Sequence, residues 1–154
     1  MKPIEFTCIE TIAMTPVAIA EPILDADNWR DFTGYWPIPG IRQAEFELRT
    51  PEVVGSRIRV TNTDGSSHVE TIVEWQPGEG LRMHMTNFSP PLSRLATDID
   101  EIWRFEPQGG ATRVTRVFRL HPKSAPARVA LWLVSFLLKR AIVRNLRQLR
   151  AAAA

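Results

Sequence analysis

From Ala125 to Arg150 the chain reads APARVALWLVSFLLKRAIVRNLRQLR, and beyond Pro126 no Gly or Pro interrupts about six turns of good helix formers. Ser124 stands where a cap is needed, and Pro122 and Pro126 separate this stretch from what precedes it. It reads as the one long helix of the chain. At 100° steps, Leu131, Val134, Leu138, Ala141, Ile142 and Leu149 share a stripe, while Lys139, Arg140, Arg144 and Arg147 gather opposite. A stripe of this kind must lie across a sheet. In the first half the back of the helix is apolar too, through Val129, Trp132, Leu133 and Phe136. The uncharged run from Val129 to Leu138 is ten residues long, about half of the ~20 that a bilayer core requires.

The rest of the chain supplies the sheet. Residues 4–12 alternate with period two, placing Ile4, Phe6, Cys8 and Ile12 on one side. Glu10 falls on that apolar side, either at a bulge, near the strand end, or as a cavity carboxylate. Thr15-Pro16 opens a helix to about Leu24 that Pro22 shortens or breaks, and Asp25 to Asn28 cap a second short one carrying Trp29 and Phe32. Tyr35 to Gly40, two aromatics among prolines, reads as an ordered loop. From Arg42 to His121 the pattern is strands throughout. Segments 44–49, 57–63, 69–75, 81–86, 98–106 and 112–121 are separated by turn signals at Asp64-Gly65, Pro77 to Gly80, Ser89-Pro90-Pro91 and Gly109-Gly110. Their regular spacing predicts an antiparallel meander. On β periodicity alone, Val69, Thr71, Val73 and Trp75 face inward, with His68, Glu70 and Glu74 outward.

The expected fold is α+β: a curved antiparallel sheet of about seven strands, two short helices after the first, and the long helix against the concave face. At 154 residues, 44% apolar and with five Trp, the chain is read as a single domain spanning 1–154. No basic-then-apolar leader is visible, so a cytoplasmic protein is expected. Cys8 is the only cysteine. It excludes an internal disulfide and reads as a small buried hydrophobe.

Net charge is +2, but all seventeen acids lie in residues 1–106, and residues 107–154 hold ten Lys/Arg and no acid. This basic last third lacks the interleaved exposed aromatics of nucleic-acid grooves, so no nucleic-acid partner is expected. His68, His84 and His121 sit on separate strands and read as outward-facing or at strand ends, so no metal site is expected. No phosphate loop, nucleophile elbow or cofactor motif is present, and no cofactor is expected.

The element order, Thr15-Pro16 after strand one, the loop Trp36-Pro-Ile-Pro-Gly40, the strand Trp103-Arg-Phe105 followed by Gly109-Gly110-Ala-Thr-Arg-Val114, and the terminal amphipathic helix together resemble the SRPBCC superfamily. That group holds polyketide cyclase-like, START-like and birch-pollen-allergen-like proteins of the helix-grip fold. The resemblance spans essentially the whole chain. It implies an elongated apolar cavity between sheet and helix for a lipid-like, aromatic or polyketide ligand.

Candidate lining residues are Phe46, Ile58, Val60, Asn62, Val69, Thr71, Val73, Met83, Met85, Trp103 and Phe118 from the strands, with Leu131 and Leu138 from the helix. One charged pair stands out. If Ile99, Trp103 and Phe105 face inward so does Glu101, and matching faces across the Gly109-Gly110 hairpin at a residue sum near 217 sets Glu101 opposite Arg116. The pair is a structural ion pair near the open end of the sheet, or two charges that the register leaves in water, or a polar anchor that orients a ligand carbonyl or carboxylate or moves protons. No catalytic set of a polyketide cyclase aligns residue by residue. The expectation is a binder of a hydrophobic small molecule, with a cyclase- or dehydratase-like enzyme as the alternative. The back of the helix (Val129, Trp132, Leu133, Phe136) offers a second surface, for a membrane or for a second copy of the chain.

Overall fold

The computed structural model describes residues 1–154. β1 (Ile4–Ile12) is followed by α1 (Pro16–Ala20) and two 3-10 turns (Glu21–Leu24, Ala26–Asp31). Then come β2 (Ile41–Leu48), β3 (Arg57–Asn62), β4 (Ser67–Gln76), β5 (Gly80–Thr86), a 3-10 turn (Leu92–Arg94), β6 (Ala96–Gln108), β7 (Ala111–Pro122) and α2 (Ala125–Ala153). All seven strands join one antiparallel sheet in the order β1-β7-β6-β5-β4-β3-β2. The meander runs from β2 to β7, and β1 closes it by pairing with β7 in unbroken register from Ile4–Leu120 to Ile12–Thr112.

The caps are where the sequence put them. Thr15 accepts from the Ala18 amide at 3.2 Å and Ser124 from the Ala127 amide at 3.2 Å, each relieving an unpaired first-turn donor. The helix that begins at Ser124 lays Leu131, Ile142 and Leu146 into the core against the inward side of β1 and β7. Cys8 is buried beside it, its thiol 3.9 Å from the Lys139 carbonyl. No helix is long and apolar enough to cross a membrane.

Of the three readings open for Glu10 the strand-end one holds: β1 pairs without interruption to its end at Ile12, and the carboxylate meets Arg150 Nη1 of α2 at 3.0 Å. Two local expectations are corrected. In β4, Ile72 pairs with Met83 but Glu74 with Arg82 and Trp75 with Leu81, so Val73 is an extra residue. That bulge inverts the alternation. Trp75 faces in as expected, whereas before the bulge His68, Glu70 and Ile72 face in, and Val69, Thr71 and Val73 face the far side. The second correction is the β6–β7 register. Glu101 lies opposite Phe118, and Trp103 opposite Arg116, a sum of 219 rather than 217. The turn is two residues, Gly109-Gly110, between the paired Gln108 and Ala111. Gly80, at the start of β5, admits no side chain, since an added Cβ would stand 2.3 Å from the Trp103 carbonyl oxygen.

Candidate functional site

Between the concave face of the sheet and α2 lies a cavity of about 760 Å³. Its floor is built by alternate residues of four neighbouring strands: His68 and Glu70, Met83 and Met85, Ile99, Glu101 and Trp103, then Arg116, Phe118 and Leu120. Its roof is α2, through Val134, Leu137, Leu138, Ile142, Asn145 and Leu149. Ile23, Trp29, Phe32, Ile38, Phe88, Leu92 and Leu95 of the short helices and loops close the sides. Twenty of its 36 lining residues are hydrophobic, so apolar contact would supply most of the affinity for a guest and the few polar groups its orientation.

The buried polar groups among them gather around Glu101 and Arg116. Glu101 is 3% exposed, and its Oε1 accepts from Arg116 Nη2 at 2.5 Å and from the Trp103 indole N–H at 2.9 Å. Arg116 Nη1 donates to Asn145 Oδ1 at 2.8 Å, tying the floor to the helix roof. The guanidinium lies over the Trp103 ring, 4.1 Å from its centroid, and 5.6 Å from that of Phe118. Arg116 Nε is buried with no partner, and both hydrogen bonds of Glu101 fall on Oε1, which leaves Oε2 without one. Beside them His68 Nε2 and Glu70 Oε2 are 3.1 Å apart, and the His68 ring stands 6.0 Å from that of Phe88.

Burial pushes the Glu101 carboxyl above its ordinary range; the Arg116 charge opposes this, and the neighbouring Glu70 adds to it. A carboxyl so placed keeps a proton at higher pH than a surface glutamate does. The cluster is therefore able to exchange a proton at Glu101 Oε2, in a water-poor space, whereas Arg116 Nε is sealed from the cavity.

Eight of the expected lining residues border this cavity: Asn62, Met83, Met85, Glu101, Trp103, Arg116, Phe118 and Leu138. Asn62 also donates to Ser66 Oγ at 3.0 Å, a local use of its amide. Ile58, Val60 and Leu131 face the interior but are consumed by the packed core, each wholly buried. Phe46 packs at the core's edge under the Arg49 guanidinium. Val69, Thr71 and Val73 are on the other face, for the bulge reason given above.

His68 and Glu70, expected outward, are the polar residues that replace them in the cavity. Nothing in the alternation of β4 betrays the bulge. Asn145 was legible: it falls on the α2 stripe three residues after Ile142 and four before Leu149, and only its polarity kept it from being counted there.

A seven-stranded antiparallel sheet wrapped on one long helix, with an apolar cavity between them, defines a helix-grip domain. The model of the family described as polyketide cyclase / dehydrase and lipid transport matches residues 4–154, and the chain belongs to that family, within the SRPBCC superfamily. No curated protein matches it in sequence. Among solved structures, the protein TTHA0849 from Thermus thermophilus superposes with a TM-score of 0.72 at 16% identity, over 98% of this chain and 99% of that one. The ginseng major latex-like protein 151 from Panax ginseng gives 0.68 at 14%, over 100% and 99%. Ara h 8.0201 gives 0.63 at 15%, over 95% and 99%. Identities this low speak to the fold alone.

Proposed function

We propose that this protein is a cytoplasmic binder of an elongated, mostly apolar small molecule, lipid-like or polyketide-like, carrying one carbonyl or carboxylate that docks on Arg116 and Glu101. The observation that carries the reading is the cavity itself: its volume of about 760 Å³ falls within the roughly 300–1,000 Å³ of small-molecule sites. Its one buried guanidinium, Arg116, lines it together with Glu101, whose Oε2 carries no hydrogen bond. Removing ligand surface from water at roughly 25 cal/mol per Å² supplies the affinity, and the polar cluster fixes which end of the guest enters first.

Native mass spectrometry of the protein as purified is expected to show a co-purifying apolar mass, and anilinonaphthalene sulfonate to bind with enhanced fluorescence. The paired substitution Met85→Trp with Leu138→Trp narrows the cavity from floor and roof. It is expected to weaken dye binding at least about tenfold while the thermal midpoint holds within a few degrees. A protein that carries no guest and takes up no dye would refute the reading. The enzyme alternative, a cyclase- or dehydratase-like catalyst, is favoured by the raised proton affinity of Glu101. There, Glu101→Gln would leave ligand affinity intact and abolish turnover.

A second surface supports delivery or uptake of such a guest at a membrane. Val129, Trp132, Leu133 and Phe136 are 50–64% exposed on the outer side of α2. The Trp132 and Phe136 rings pack edge to face at 4.8 Å, and Arg128, Lys139 and Arg140 border them without an acid nearby in sequence. An apolar patch rimmed by cations suits an anionic lipid surface. Flotation with phosphatidylserine-containing vesicles is expected at low salt and to weaken at high salt, and Trp132→Ala with Phe136→Ala to abolish it. A salt-insensitive dimer that ignores the vesicles would assign the patch to a second copy instead.

A further inference from the structure

On the face of the sheet turned away from α2, strands β5, β6 and β7 bring together four metal-ligating side chains that the cavity does not use. His84 is register-paired with Asp100, and Asp98 with His121. We propose that His84, Asp98, Asp100 and His121 form a binding site for one divalent cation of the zinc class.

The spacing carries the proposal. His84 Nδ1 stands 2.9 Å from Asp100 Oδ1, and His121 Nε2 stands 3.4 Å from Asp100 Oδ2 and 3.7 Å from Asp98 Oδ1. Ligand atoms of His84, Asp98 and Asp100 all lie within 4.8 Å of one another. Donors bound to one Zn²⁺ at about 2.1 Å are separated by roughly 3.0–3.4 Å across right-angled to tetrahedral edges, so these three are near an ion's reach; His121 meets only the two aspartates and lies outside that 4.8 Å group, and joins by turning its ring.

The parts have different stiffness. Asp100, with an 8% exposed side chain, is the fixed point, whereas His84 and His121 are about a third exposed and free to turn. Asp98 is held from behind, its Oδ2 accepting from Thr97 Oγ1 at 2.7 Å, which aims Oδ1 at His121. Two imidazoles and two carboxylates suit zinc, and nickel or copper, better than magnesium or calcium, which take oxygen alone.

One group competes with the ion. Arg82 Nη2 lies 3.3 Å from Asp100 Oδ1, in a shallow groove with Glu74, whose carboxylate is 3.9 Å from Arg82 Nη1. The ion takes over that neutralising role and the guanidinium swings to Glu74. This gives the proposal a sign that a plain surface ion-pair network does not share.

Isothermal titration calorimetry with ZnCl₂ on the full chain, stripped with chelator and dialysed, is expected to show one equivalent bound. His84→Ala and His121→Ala should each weaken it at least about tenfold, His68→Ala, in the cavity, should leave it unchanged, and Arg82→Met should strengthen it. Replacing zinc by Co²⁺ should give visible absorption from a four-coordinate nitrogen and oxygen site, lost in the His121 variant. The side chains of His84, His121 and Arg82 are each about a third exposed, and circular dichroism checks that every variant is folded. No saturable heat up to about 100 µM zinc, or binding that survives both the His84 and the His121 substitution, overturns the proposal.

Discussion

Glu101→Ala is expected to lower the unfolding free energy by roughly 3–5 kcal/mol, the range for removing one partner of a buried ion pair, measured as a shift of the urea midpoint at unchanged slope. The loss comes from what is left behind more than from what is removed. Arg116 is as deeply buried as its partner, and its Nε already lacks an acceptor. Without Glu101 its charge would rest on the Asn145 carbonyl and the faces of the Trp103 and Phe118 rings. The double variant Glu101→Ala with Arg116→Met should therefore recover most of the loss, because an apolar side chain of similar length restores packing and carries no charge to strand. A Glu101→Ala variant within about 1 kcal/mol of the parent would mean that the cavity is wet enough to solvate the guanidinium.

The same pair predicts a pH dependence. Glu101 has its folded-state proton affinity raised, so the folded protein holds a proton that the unfolded chain has released. Its contribution is fully present below the ordinary glutamate value of 4.5 and is lost as pH rises through the raised folded value. Glu101→Gln, which cannot ionise, should gain on the parent as pH climbs through that window. A constant difference between the two proteins would place the carboxyl in an ordinary, solvated setting.

Phe118→Ala is expected to cost about 3–5 kcal/mol as well, by the independent route of core truncation. Phe118 is 1% exposed, stacks on Phe6 with ring centroids 5.0 Å apart and planes 7° from parallel, and underlies the Arg116 guanidinium. Its ring is also part of the cavity floor, so the space left by truncation joins a void that is already there and cannot be closed by one neighbour moving in. Phe118→Leu should cost less than half as much. The Ala variant should also accept a bulkier guest, read as binding of a larger dye that the parent excludes. A loss under about 1 kcal/mol with no change in dye size would show that the floor collapses around the missing ring.

Much of this architecture was written locally. Thr15 and Ser124 cap the helices they precede. The α2 stripe, the meander and the two-residue Gly109-Gly110 turn follow from periods and turn chemistry that operate within a few residues. Glu101 and Arg116 could be paired on paper because inward faces must match across a hairpin, and the two residues do meet. They meet diagonally, since a turn two residues long sets the sum at 219, with Trp103 opposite Arg116 and its indole bonded to Glu101. The bulge at Val73 was invisible: Val69, Thr71 and Val73 look like an inward row, and the pairing with β5 turns that row outward and presents His68 and Glu70 to the cavity.

By itself the sequence determined the element types, their order, which side of α2 is apolar and that Glu101 and Arg116 share one side of their hairpin, because each of these depends on interactions within one element or one hairpin. Tertiary structure alone decided which polar groups converge, namely Asn145 on Arg116, His68 on Glu70, and His84 and His121 on Asp100. Convergence is a property of register across several strands and of the seating of a helix on them. A single extra residue in one strand moves every side chain that follows to the opposite face without altering the composition or the apparent period.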